Sequence, residues 1–205
     1  VIVPSWTWMA TGMAPLYVGA IPVFVDGEKD TFCMDPAAFE AAITPNTKGV
    51  VVNTPNNPSG VVYSTETLKK LAEVLTAKSK EYGHDIFIIS DEPYREIVFE
   101  GVDAPCVSSY YDNTIMCYSF SKSLSLPGER IGYIAVNPAA EDSESVYLAI
   151  CGAGRSLGYV CAPSLFQHVI AKCIDAKVNV EAYKENRDLL YENLTAYGYE
   201  CVKPA

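Results

Sequence analysis

Residues 119–130 read SFSKSLSLPGER. One lysine, Lys122, stands among serines, and Arg130 follows across a Pro-Gly turn with no obvious carboxylate partner for either cation. Lys and Arg are ordinarily solvated surface charge. Two further polar clusters change the reading: NTPNNPSG at 53–60 and DEPY at 91–94. A semi-buried lysine can shed its proton and attack an aldehyde, forming a Schiff base. A carboxylate at a neighbouring strand end can keep a pyridine nitrogen protonated, and serine hydroxyls with an arginine fork can hold a phosphate. Lysine, aspartate and arginine together describe a site for pyridoxal 5'-phosphate.

Each element has a plainer explanation when taken alone. Asp91 and Glu92 end an apolar run and would serve as a solvated strand end or a cap. NPSG is a turn, because Pro fixes φ and Gly supplies the left-handed position. Tyr94 is one of fourteen tyrosines. The order and spacing of the three clusters are what independent structural roles would not require.

The elements that must position them follow from periodicity. Strands are predicted at 1–4, 22–25, 49–53, 86–90, 114–120 and 131–136, most of them continuously apolar, as parallel strands covered on both faces are. Helices are predicted near 9–19, at 36–43 after Asp35, and at 65–82 after Ser64, where Leu68, Leu71, Ala72 and Leu75 share a face. The rhythm is βαβ, hence an α/β fold with a mostly parallel sheet and helices on both faces. From about 139 helices take over, at 162–178 and 180–197, with Val169, Ile170 and Cys173, then Leu189, Leu190 and Leu194, at helical spacing. In such sheets ligands bind beyond the carboxyl ends of the strands, and all three clusters follow strands there.

The composition sets outer bounds. The chain has 205 residues, 49% of them hydrophobic, and a formal charge of −10. That acidity argues against nucleic-acid or anionic-membrane partners. Seven cysteines, at 33, 106, 117, 151, 161, 173 and 201, form no C-x-x-C pair and read as buried free thiols of a reducing cytoplasm. With only His84 and His168 available, no metal site is expected. No apolar run reaches the ~20 residues of a membrane span, and no signal-peptide pattern opens the chain. The start in VIVPSW and the end in YECVKPA read as a fragment of a longer protein.

NNPSG, DEPY and SFSKSLSLPGERIGY together resemble the large domain of fold-type I pyridoxal-phosphate enzymes, in particular the aspartate aminotransferase superfamily (class I/II aminotransferases). The pattern S-x-S-K followed by G-x-R-x-G is complete in Ser119, Ser121, Lys122, Gly128, Arg130 and Gly132. The resemblance implies that Lys122 forms the internal aldimine and shuttles the proton, and that Asp91 pairs with the pyridinium nitrogen. It implies that Asn57 and Tyr94 hydrogen-bond the phenolic oxygen, that Ser119, Ser121 and Arg130 grip the phosphate, and that Trp8 stacks on the ring, with Trp6 as its rival. Ser59 stands where the family usually has Thr, and Pro93 where a bulkier residue is common. The first fifty residues also look like sugar-nucleotide aminotransferases, which lack NNPSG. Family members run to nearly twice this length, with a phosphate-binding loop before this region and a substrate-carboxylate arginine after it, so this chain alone is expected to be inactive.

The expected organisation is a cofactor-binding core at 1–138 and a helical continuation at 139–205 leading toward a small domain. The resemblance implies a homodimer that moves an amino group from an amino acid to a 2-oxo acid, and the free-thiol pattern reads as cytoplasmic. Two alternatives share the cofactor lysine: a carbon–sulfur β-lyase, and the sensor domain of a transcription regulator. The stretch 152–164 maps onto no specificity pattern, and Arg155 within it reads as surface charge.

Overall fold

The computed structural model describes residues 1–99 and 101–205. Six strands form one sheet: β1 (Ile2–Pro4), β2 (Val23–Val25), β3 (Gly49–Asn53), β4 (Phe87–Asp91), β5 (Thr114–Ser119) and β6 (Gly132–Val136). Their order is β2-β1-β3-β4-β5-β6. All pairings are parallel except β5 with β6, where Ser119 faces Gly132 and Ile115 faces Val136. Every residue of β1 and β3 is buried. Both faces of the central sheet are therefore covered, which is why these strands read as unbroken apolar runs.

Helices α1 (Met9–Tyr17), α2 (Pro36–Ala42) and α3 (Thr65–Tyr82) connect the first strands. Asp35 caps α2 by accepting from the Ala38 N–H at 2.7 Å, and Pro36 at the first helical position loses no needed donor. Ser64 caps α3 in the same way through the Thr67 N–H, and Gly83, at φ 70°, ends it in the left-handed conformation. The α3 stripe of Leu68, Leu71, Ala72 and Leu75 is buried against Val50, Val52 and Ile88. Each such leucine contributes roughly 1.5–3 kcal/mol of burial.

After β5 come the four-residue α4 (Phe120–Ser123) and, beyond β6, α5 (Ser143–Ser156), α6 (Ser164–Cys173) and α7 (Val180–Ala196). Ile170 and Phe166 of α6 pack with Phe120, Leu124, Leu126 and Ile131, which braces the turn carrying Lys122. Leu189 and Leu190 lie on an exposed side of α7, and the buried residue of that helix is Arg187, whose guanidinium sits over the Phe99 ring and donates to the Pro204 carbonyl. One expectation, that the cysteines are buried, is corrected here. All seven cysteines are free, but only Cys33 is fully buried, and Cys151 and Cys161 are exposed. No helix among the described residues is long and apolar enough to cross a membrane.

Candidate functional site

The parallel strands β1, β3, β4 and β5 end at one edge of the sheet. Trp8 lies just beyond β1, Asn57 beyond β3, Asp91 at the end of β4 with Tyr94 following, and Ser119 at the end of β5 leading into Lys122. Arg130 reaches the same edge because β6 runs antiparallel and begins there, opposite Ser119. The topology thus sets the eight residues singled out in the sequence toward one end of the sheet, with direct contacts between Asn57 and Tyr94, Tyr94 and Lys122, and Ser119 and Ser121.

The loop 53–60 is wired by its own side chains. The Asn56 Oδ1 accepts from the Ser59 N–H and Oγ–H at 3.2 and 2.9 Å, and the Asn53 Oδ1 accepts from the Asn57 N–H at 2.7 Å. Ser59 fills the position with a bonded hydroxyl, the part of a threonine that this loop needs. The Thr54–Pro55 and Asn57–Pro58 peptides are cis. With its backbone held, Asn57 donates from Nδ2 to the Tyr94 hydroxyl at 3.1 Å.

Asp91 is the register partner of Asn53 on one side and of Cys117 on the other. Its Oδ2 accepts from Asn53 at 3.2 Å. Burial, and then the neighbouring Glu92, push its carboxyl up to about 6. Glu92, 1% exposed, points elsewhere: it accepts from Ser90 Oγ and from Arg95, each at 2.6 Å. Arg95 also donates to the Ala104 carbonyl. This ion pair allows a second carboxylate to sit beside Asp91 in the interior. Burial holds the Cys117 thiol neutral, up to about 11, with Asp91 and Glu92 acting in the same direction.

The lysine motif is helical where the sequence reads as a loop. The Ser119 Oγ accepts from the Ser121 N–H at 3.2 Å and donates to its hydroxyl at 2.8 Å, starting α4. The Tyr118 hydroxyl donates to Ser123 Oγ at 2.8 Å and ties the far end of the turn. Lys122 is exposed between these ties, its ammonium 5.7 Å from the Tyr94 ring centroid. Arg130 has φ 51° and donates to the Pro127 carbonyl at 2.8 Å. Neither cation has an ion-pair partner among the described residues.

The two tryptophans separate. Trp6 stacks on Phe32 with centroids 5.2 Å apart, an ordinary packing contact, while Trp8 is 62% exposed at the start of α1. A cavity of about 270 Å³ lies against Asn57 and Tyr94, lined also by Ile97, Phe99 and Pro204. A wider one of about 520 Å³, among Thr76, His84, Asp85 and Asp112, lies where β4 and β5 begin, away from these residues. Arg155 is exposed.

The sequence reading gave no role to Asn53, Ser90, Arg95 or Tyr118. A polar amide closing the apolar run Gly49–Asn53 was the available signal for Asn53. The ion pair of Glu92 and Arg95 was legible only as a three-residue spacing.

A mostly parallel sheet with an antiparallel edge strand and these groups along its carboxyl edge is the aspartate aminotransferase fold. The chain belongs to the aminotransferase class I and II family, which matches residues 1–205; members of that family use pyridoxal 5'-phosphate. A probable aspartate/prephenate aminotransferase of Thermus aquaticus is 33% identical over the whole chain, which covers 52% of that protein. A probable N-acetyl-LL-diaminopimelate aminotransferase of Bacillus subtilis is also 33% identical, over 91% of the chain and 46% of that protein. The crystal structure of an aminotransferase from Eubacterium rectale superposes with a TM-score of 0.96 at 55% identity, covering 99% of this chain and 51% of that one. The chain spans about half the length of the curated relatives it matches.

Proposed function

We propose that the protein is a pyridoxal-phosphate-dependent aminotransferase that moves an amino group from an amino acid to a 2-oxo acid by a ping-pong route. The observation that carries this reading is the convergence of Lys122, Asp91, the Asn57–Tyr94 pair and Arg130 on one sheet edge, with both cations lacking a carboxylate partner among the described residues. The donor set fits the cofactor: an amine for its aldehyde, a carboxylate for its ring nitrogen, a phenol and an amide for its phenolic oxygen, and hydroxyls with a guanidinium for its phosphate.

When bound, the cofactor supplies an electron sink for the charge that develops at the substrate's α-carbon. The remaining work falls to side chains. Lys122 Nζ would hold the cofactor through its aldehyde carbon and, when free, would serve as the base that carries the substrate's α-proton. Asp91 would hold the ring nitrogen, whose proton would give its buried carboxylate a positive partner. Asn57 and Tyr94 orient the phenolic oxygen. Ser119, Ser121 and Arg130 would hold the phosphate, and Trp8 would cover one face of the ring.

The same reading divides the chain at 138/139 into a cofactor-binding core and a helical continuation, supported by the end of the sheet at Val136 with helices thereafter. It makes the protein a homodimer, supported by the exposed apolar residues Met9, Leu16, Tyr17 and Phe24 on α1 and β2. It also places the protein in the cytoplasm, consistent with seven free thiols.

The test is a half-reaction with the full-length protein and a panel of amino acids. The reading expects one 2-oxo acid per site without an acceptor, and repeated turnover once a second 2-oxo acid is added. Release of pyruvate and ammonia from a cysteine conjugate, with no acceptor dependence, would make it a carbon–sulfur lyase instead.

A further inference from the structure

Asn53 closes β3 and is 2% exposed. Both ends of its side chain are engaged. Nδ2 donates to the Asp91 main-chain carbonyl at 3.0 Å and to the Asp91 Oδ2 at 3.2 Å, while Oδ1 accepts from the Asn57 N–H at 2.7 Å. The partners fix which way the amide points: an N–H on one side needs an acceptor, and a carbonyl with a carboxylate on the other needs a donor. A flipped amide would set donor against donor. The strand register places Asn53 and Asp91 side by side, so the contact follows from the ladder itself.

We propose that Asn53 is a positioning residue that braces the Asp91 carboxylate and the Asn57 amide into one fixed arrangement toward the cofactor ring, touching neither cofactor nor substrate. One side chain thereby couples two elements that approach different atoms of the ring. Asn57 in turn holds Tyr94, so the brace extends over four residues on two strand ends. Its electrostatic part opposes the local environment. The titratable groups meeting Asp91 are Glu92, next in the chain just past β4, which disfavours a second negative charge as burial does, and the Cys117 thiol on β5, which burial keeps neutral. From β3 comes the Asn53 N–H, which favours the ionised form.

This inference rests on the cofactor reading above, yet its first readout needs no cofactor. In the apo full-length protein with labelled asparagine and aspartate, the Asn53 side-chain N–H resonance follows the Asp91 titration, assigned with Asp91→Asn. Asn53→Leu raises the Asp91 midpoint by about one pH unit and weakens pyridoxal-phosphate binding about tenfold. Asn53→Asp is isosteric and keeps the acceptor for the Asn57 N–H while placing a carboxylate against Asp91. It raises the upper midpoint of that pair by more than Asn53→Leu does. An Asn53 resonance that ignores the Asp91 titration, or an Asn53→Leu protein of parental melting behaviour with parental midpoint and affinity, overturns the inference. Failure of the parent to bind pyridoxal phosphate, with the midpoint shifts present, overturns the cofactor reading and leaves the brace intact.

Discussion

Asn57 and Tyr94, 37 residues apart in the chain, meet through a 3.1 Å hydrogen bond from the amide Nδ2 to the phenolic oxygen. The amide is the donor, so the tyrosine's own hydrogen is left to point into the cleft. On the proposed reading, a donor at that place would stabilise a negative phenolic oxygen on the cofactor. Tyr94→Phe therefore raises the pH midpoint of the cofactor's visible band by about one unit and lowers kcat/KM by about 10–100-fold. Spectrophotometric titration with steady-state kinetics on the full-length protein checks both. A lower kcat/KM without movement of the midpoint would remove Tyr94 from the phenolic oxygen.

Asp91 carries a cost in the cofactor-free protein. Its carboxyl is raised from an ordinary 3.8 to about 6, by burial first and by Glu92 second. The folded state therefore binds the proton more tightly than the unfolded one. Stability falls as pH climbs between those values, and the full cost is present above the folded midpoint. Asp91→Asn removes it. The variant is expected to be more stable than the parent apo protein by about 1–3 kcal/mol at pH 8 and by much less at pH 4.5, while losing transaminase activity. Urea denaturation at the two pH values measures the difference. An equal effect at both would mean that Asp91 is not charged at a cost.

Gly132 is fixed by close approach. A Cβ there would fall within bonding-contact range of the Tyr118 carbonyl and 3.1 Å from the Ser119 Cα, both backbone atoms of the facing strand. Neither can rotate away. Gly132→Ala has to push β6 off β5 just where Ser119 faces Gly132, two residues after Arg130, costing about 2–4 kcal/mol of stability and at least tenfold in pyridoxal-phosphate affinity. Chemical denaturation and cofactor titration read the two effects, and a substitution silent in both would show that the β5–β6 register is not needed for the site.

Most of the strand plan was legible because buried parallel strands leave an unmistakable mark. Val50, Val51 and Val52 sit together without polar interruption since both of their faces are covered. The α3 stripe and its caps were equally readable, as Ser64 and Gly83 satisfy backbone groups that any helix leaves open. What escaped had no periodic signal. α5 (Ser143–Ser156) buries none of its residues, so its apolar positions packed against nothing that would have confirmed them as a helix face. α4 exists because Ser119 caps it and Tyr118 ties it to Ser123, contacts that only the folded turn creates. The leucines of α7 showed the right spacing, but Leu190 is 62% exposed here, because spacing predicts a face and not what covers it. In the candidate site, the types of Lys122, Asp91 and Arg130 are what suggested its chemistry. The brace through Asn53 depended on strand register, which one sequence does not display.

The central claim is that Lys122 is the attachment point in a pyridoxal-phosphate site. The most direct measurement is to incubate the full-length protein with pyridoxal 5'-phosphate, reduce it with borohydride and locate the modified lysine by mass spectrometry, with Lys122→Ala in parallel. Stoichiometric labelling at Lys122, absent from the variant, is the predicted result. Labelling at another lysine, or spread over surface lysines and unchanged in Lys122→Ala, would contradict the account.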